Sequence, residues 1–216
     1  MIEKRNDIGL RILQELFPEK YFIFLGEGKS SVVFTDEIAV YKVFLLGKYE
    51  ALGYKRNISN IIKLYRGKFE NSKIFYPIQQ IIEINNDCFI VVYPYEKSEP
   101  CLTFEHNEIQ DFLVECWQKR LIFQDIKPEN FVRVNEKLKW IDYEPDKFTD
   151  NLFLNMATRA FIYAKYPNES QPYLNKLCRS AITNFDLPEL VGLQEFTNAL
   201  FAKVIFEESQ IDTKQI

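Results

Sequence analysis

The chain has 216 residues, 47% of them apolar and 15% aromatic, with a formal charge of -4. That is enough apolar material for one buried domain or two small packed lobes, which excludes wholesale disorder, and the acidic balance gives no basic field for a nucleic-acid backbone. The charged start, Met1 to Asp7, does not lead into a signal-type apolar run and no stretch of about 18 apolar residues follows, so neither a membrane span nor a cleaved export signal is expected.

In chain order, Ile8, Ile12, Leu13 and Leu16 recur at helical spacing over 3-16, and Pro18 ends the run. Tyr21 to Leu25 reads as a strand that enters the turn Gly26-Glu27-Gly28-Lys29-Ser30-Ser31, and Val32-Val33-Phe34 reads as a second strand. After the polar turn at Thr35-Asp36-Glu37, Ile38 to Leu45 reads as a third, all antiparallel because the connections are short. Apolar spacing predicts a long helix from Lys48 to about Lys68. Strands are predicted at Ile78 to Ile84 and Cys88 to Tyr93, joined by a hairpin turn at Asn85-Asn86-Asp87.

Pro94 to Pro100 breaks the pattern and reads as a connector. Beyond it, Ile109, Phe112, Leu113, Cys116, Trp117 and Leu121 mark a core helix, with Asn107 and Gln110 expected as its capping pair. A loop and short-strand region covers 122-143, and helices are predicted at about 150-165, 172-185 and 188-207. Pro172 and Pro188 fall in the first turns of the last two, and the tail after Glu208 is expected to fray. The order is β-rich, then α-rich.

Cys88, Cys101, Cys116 and Cys178 form no C-x-x-C pair and are expected as reduced, buried thiols. His106 is the only histidine and no Gly-x-Ser-x-Gly elbow exists, which removes Ser-His-Asp hydrolysis, Cys-His proteolysis and His-rich zinc sites. Any chemistry must come from carboxylates, lysines, amides and a bound metal.

The run Leu121-Ile122-Phe123-Gln124-Asp125-Ile126-Lys127-Pro128-Glu129-Asn130-Phe131 puts a carboxylate, a cation and an amide in one loop after a core helix. It resembles the catalytic loop of Ser/Thr protein kinases. The resemblance implies that Asp125 orients the acceptor hydroxyl and takes its proton, that Lys127 sits near the γ-phosphate, and that the Asn130 amide oxygen holds Mg²⁺. Asp142, in Trp140-Ile141-Asp142-Tyr143-Glu144, lies twelve residues past Asn130, where the family carries a metal-holding Asp. Taken alone, it would be an ordinary strand-to-turn exit.

Gly26-x-Gly28-x-x-Ser31-x-Val33 is similar to the family's Gly-rich loop, with Ser31 in place of a third glycine. Lys42, in Ala39-Val40-Tyr41-Lys42, resembles the third-strand lysine that pairs the α- and β-phosphates. The bland reading of Lys42 is an exposed edge-strand cation. The family holds that lysine with a helix glutamate; Glu50 is the only acidic residue between Val43 and Phe69, and the alternative for it is a carboxylate favoured by the helix N-terminus. The resemblance further implies that Gly26, Gly28, Ser31, Val33, Val40, Tyr93 and Tyr95 bind the nucleotide, the last two from the connector.

The chain also departs from the family. Phe123 and Gln124 replace the usual His and Arg, which removes the pairing group for a phosphorylated activation segment. Tyr143-Glu144 replaces Phe-Gly, and Asp-aromatic-Glu is closer to aminoglycoside- and choline-type kinases. No Ala-Pro-Glu follows, and only 74 residues remain after Asp142. Lys127, by contrast, is a protein-kinase feature.

The resemblance therefore implies an α+β, two-lobed protein-kinase-like fold in a single domain over 1-216. Its N-lobe (about 1-94) would be an antiparallel sheet plus helix, its hinge would span about 94-100, and its C-lobe (about 101-216) would be a reduced helical one, with ATP between the lobes near Pro94. The expected activity is ATP- and Mg²⁺-dependent phosphoryl transfer, by a minimal, atypical Ser/Thr protein kinase. The alternatives are a small-molecule kinase of aminoglycoside or choline type and a pseudokinase binding module, against which the joint presence of Lys42, Asp125, Asn130 and Asp142 argues. The expected partners are a protein substrate or a small-molecule acceptor, without nucleic acid or membrane, and the expected state is a monomer, cytoplasmic or delivered into a host cell.

Overall fold

A computed structural model of the chain describes residues 4-46, 58-85, 88-184 and 187-212. Among these the protein is α+β, with a five-stranded antiparallel sheet and six α-helices. The chain divides into two compact units, Met1–Ser98 and Glu99–Ile216.

In the first unit, α1 (Arg5–Leu16) precedes β1 (Ile23–Glu27), β2 (Ser31–Thr35) and β3 (Ala39–Leu45). The helical part of 58-69 is short: α2 (Ile58–Tyr65) continues into a 3-10 turn, Arg66–Phe69. The rest of the predicted long helix, with Glu50, lies outside the described residues. β4 (Gln80–Asn85) and β5 (Cys88–Pro94) complete the sheet, in the order β1-β2-β3-β5-β4. β4 begins at Gln80, later than the apolar run suggested, because the Ile78 and Gln79 carbonyls accept from the Arg66 guanidinium.

Period-2 alternation sorts these strands into two faces. Val32 and Phe34 of β2, Ala39, Tyr41 and Val43 of β3, and Cys88, Ile90 and Val92 of β5 pack with Leu13 and Phe22 into one apolar core. α1 lies on this face so closely that a Cβ on its Gly9 would meet Val32 Cγ2 at 2.4 Å. The opposite face carries the registered rows Val33–Lys42–Val91 and Thr35–Val40–Tyr93, with Phe44 stacked on Phe89 at 4.4 Å. α2 docks on β4 through Glu83, which accepts from Ser59 Oγ and pairs with Lys63 Nζ, both at 2.6 Å.

The second unit contains β6 (Glu99–Pro100), α3 (His106–Gln118), β7 (Phe131–Val134), β8 (Lys137–Trp140), α4 (Asp150–Lys165), α5 (Gln171–Thr183) and α6 (Leu193–Asp212). The strands form a small antiparallel sheet, β6-β7-β8, and α3 packs against α4 and α6. The cap of α3 differs from the expected Asn107 and Gln110 pair. Glu105 is the N-cap, in a capping box with Glu108, whose carboxylate also pairs with Arg133 of β7 at 2.6 Å. Gln110 is instead buried and donates to the Phe196 carbonyl of α6 at 3.0 Å, a contact between helices that no local pattern encodes.

Pro172 sits in the first turn of α5, as expected, but Pro188 opens a separate 3-10 turn, Pro188–Leu190. α6 starts only at Leu193, after Gly192 takes a φ of 93° that favours glycine, and it runs to Asp212, past the expected fraying point. All four cysteines are free and buried. No helix among the described residues is long and apolar enough to cross a membrane.

One polar knot closes the β2–β3 turn. Asp36 Oδ1 accepts from the Ile38 and Ala39 amides, and Oδ2 accepts from Lys20 Nζ at 2.6 Å and from the Tyr41 hydroxyl at 2.9 Å. Burial alone would raise the Asp36 carboxyl, but the bonds from Lys20, Ala39, Ile38 and Tyr41 outweigh it and hold the group at about 2. A depressed folded-state value stabilises above the unfolded value, near 4, and that stabilisation disappears as pH falls toward 2. Asp36→Asn is therefore expected to cost about 1–3 kcal/mol at pH 7 and to flatten the stability profile between pH 4 and 2, read by urea unfolding across pH.

Candidate functional site

In the second unit the site is built on rings. Phe112 of α3, Phe123, Phe131 of β7 and Trp140 of β8 pack together, with centroids 5.0 Å apart for Phe112–Phe131, 4.7 Å for Phe123–Trp140 and 4.8 Å for Phe131–Trp140. Each of the last three stands immediately beside a predicted functional segment. Phe123 enters the loop, Phe131 leaves it, and Trp140 precedes Asp142 by two residues. The Trp140 indole N–H, buried with its ring, donates to the Asp142 carbonyl, which ties the ring to the aspartate's backbone.

Between those anchors the loop bonds to itself. Lys127 Nζ lies 2.8 Å from Asp125 Oδ2, and the side chain of Asp125 is 52% exposed. A 3-10 turn, Pro128–Asn130, reverses the chain, and Asn130 Nδ2 donates to the Asp125 carbonyl at 2.6 Å. That bond uses the amide N–H and leaves Oδ1 as the atom with which Asn130 could ligate a cation.

The β7–β8 hairpin then brings Asp142 to Asn130. Its turn residues, Asn135 and Glu136, take φ of 48° and 65°, the left-handed pair that suits a two-residue connection. The register pairs Phe131 with Trp140, and one step further Ile141 N donates to the Asn130 carbonyl at 3.1 Å. A second tie, Asp146 N to the Ile122 carbonyl at 2.8 Å, fixes the chain after Asp142 to the segment before Asp125. Asp125, Lys127, Asn130 and Asp142 are thus held in one local framework.

Among the described residues no three His, Cys, Asp or Glu side chains cluster as a metal cage. Mg²⁺ does not require one, because it keeps several waters and takes phosphate oxygens beside one or two protein ligands. Asn130 Oδ1 and the Asp142 carboxylate are of the right chemical type.

In the first unit, Ser31, Val33, Val40, Lys42 and Tyr93 all fall on the sheet face opposite α1, and Gly26 pairs with Val33. Lys42 is only 7% exposed, which replaces the bland edge-strand reading; its Nζ lies 5.2 Å from the centre of the Phe44 ring. A Cβ at Gly26 would meet nothing within 4 Å, and at Gly28 only Ser31, at 3.8 Å. Internal packing therefore does not demand glycine there. Without side chains at these two positions a group can approach the turn closely, although the Gly28 amide is itself spent on the Ser31 carbonyl, at 2.8 Å. Tyr93 stacks on Tyr76 at 5.6 Å, and Tyr95 N donates to the Ile38 carbonyl at 3.0 Å, so that amide is already engaged.

Two features escaped the sequence. α4 supports the loop from below: the Phe123 amide donates to Met156 Sδ at 3.3 Å. Two turns along that helix, burial pushes the Tyr163 hydroxyl up to about 12, with Cys178 and Asp125 adding to the shift and Gln171 and Arg159 opposing it. In the first unit, Arg5 donates to the carbonyls of the Gly-bearing turn. Neither has a local signature.

No protein-family model and no curated protein matches the chain, so the site stands on its own geometry. If the ring cluster holds the loop, Trp140→Leu should cost about 3–5 kcal/mol in urea unfolding. It should also speed amide exchange in 124-130 well beyond that in α5, which lies off the cluster.

Proposed function

We propose that the chain is an ATP- and Mg²⁺-dependent phosphotransferase of minimal protein-kinase-like type, acting on a Ser or Thr hydroxyl of a protein. The observation that carries this reading is the closed loop Asp125–Lys127–Asn130, with Asp142 registered beside Asn130 through the Ile141 amide. Asp125 is exposed enough to meet an acceptor, and its Oδ atoms would orient the hydroxyl and take its proton. Lys127, now on Asp125, would offset charge developing on the transferred group. Asn130 and Asp142 would hold Mg²⁺, which when bound neutralises phosphate charge. From the first unit, the bare turn at Gly26 and Gly28 and the buried Lys42 would hold the phosphates, beside Ser31, Val33, Val40 and Tyr93 on the same sheet face.

A small-molecule acceptor is the second reading, and one observation favours it. Only residues 143-149 separate Asp142 from α4, and Tyr143 within them is fully buried, which leaves little chain for a peptide-docking segment.

The test is thermal stabilisation by MgATP together with ADP release. Wild type should show both; Asp125→Ala should keep nucleotide affinity within about threefold and lose turnover by about 10²–10⁴. Lys42→Met should lose affinity. A wild type with neither stabilisation nor turnover overturns the proposal in favour of a binding module. Mass spectrometry of a lysate treated with wild type or Asp125→Ala would separate protein from small-molecule acceptors.

A further inference from the structure

We infer that Arg159 of α4 is the acceptor-side specificity residue of this site, and that the hydroxyl presented to Asp125 belongs to an acidic segment of a protein. For the reaction, this inference rests on the phosphotransferase reading above; the placement of the cation does not. Met156, Arg159 and Tyr163 stand at i, i+3 and i+7, a single stripe along α4. The Phe123 amide donates to Met156 Sδ at 3.3 Å, so that stripe is the one turned toward the loop that carries Asp125.

The charge of Arg159 is not consumed within the protein. Its side chain is half-buried, yet it makes no hydrogen bond or ion pair among the described residues. α5 packs against α4 and buries Leu174, Leu177, Cys178 and Ala181, which bring no counter-charge; burial pushes the Cys178 thiol up and keeps it neutral. Asp125 is committed to Lys127, at 2.8 Å. Tyr163 shows that the two charges nevertheless converge. Beyond burial, which dominates, and the Cys178 thiol, Arg159 pulls the value of its hydroxyl down and Asp125 pushes it up. That hydroxyl is buried and already accepts from Gln171 Nε2 at 2.6 Å, which leaves the guanidinium as the group of the stripe that meets an acceptor.

A guanidinium is forked and donor-only, so a carboxylate is its natural partner. A half-buried cation without a partner also costs stability, a cost that such a partner offsets. Beside Asp125 the cation has a further effect: the carboxylate that takes the proton repels an acidic acceptor, and a positive charge near both offsets the repulsion. A cationic acceptor of the aminoglycoside kind would meet Arg159 as a like charge.

The experiment uses the full chain and two pools of Ser peptides, one with Glu and one with Lys at the positions flanking the serine. Binding is read by fluorescence anisotropy and turnover by MgATP-dependent ADP release. Wild type should bind the Glu pool about tenfold more tightly than the Lys pool, and Arg159→Met should bring the two within about twofold. Arg159→Glu should invert the preference, a gain on the Lys pool that a misfolded chain does not show. An unchanged preference in Arg159→Met overturns the inference, as does a folded Arg159→Glu chain, judged by its thermal unfolding, that still prefers the Glu pool. Equal binding of the two pools by wild type, or binding of neither, overturns it too. Turnover of both pools at equal kcat/KM removes the inference and leaves the phosphotransferase reading in place. An Arg159-dependent preference for the Glu pool without any ADP release keeps the anion contact and removes the phosphotransferase reading.

Discussion

The packing of Phe112, Phe123, Phe131 and Trp140 is the interaction on which the polar site of the second unit depends. Each ring removes on the order of 150–250 Å² from water, worth about 4 kcal/mol. Holding one loop residue in a single conformation costs about 1–2 kcal/mol, so a loop with an exposed Asp125 would not order itself. Rings at both of its ends supply the anchorage. The Asn130–Asp125 bond then sets the turn, and the Trp140–Asp142 bond carries the same anchorage to the second aspartate.

In the first unit both faces of the sheet are buried, and the register of the strands decides which face carries the cation. α1 covers the face built from alternate residues of β2, β3 and β5, and the close seat at Gly9 makes that choice firm. A one-residue slip of β3 would exchange Lys42 for Tyr41 or Val43 and put the cation into the apolar core, where an uncompensated charge is not tolerated. Lys42 thus reinforces the register. At the far end of the same unit the Lys20–Asp36–Tyr41 knot closes the turn between the two strands that carry most of the face.

Much of this was legible in the chain. The strands around the Gly-bearing turn, the hairpin strand at Cys88, the core helix through Phe112 and the helices at Asp150 and Gln171 all follow from period-2 or period-3.6 spacing between turn residues. Legibility failed where long-range partners decided the outcome. Glu105 displaced Asn107 and Gln110 as the cap of α3 because Glu108 could serve the capping box and Arg133 together. Gly192, in a left-handed conformation, moved the start of α6 beyond Pro188. The partner expected for Lys42, Glu50, falls outside the described residues.

By itself the sequence determined which residue types recur at which spacing: Asp125, Lys127 and Asn130 in one short loop, Asp142 twelve positions on, and glycines beside an alternating strand. Those relations span a few residues and are governed by local backbone geometry and turn chemistry. Only the tertiary structure decided that the hairpin register sets the Ile141 amide on the Asn130 carbonyl, that Ser31, Val33, Val40, Lys42 and Tyr93 share the face α1 leaves, and that Arg5 reaches a turn 23 residues away. Such pairings depend on which elements can pack without a void or a clash, and that is a property of the assembled core, which no single segment carries.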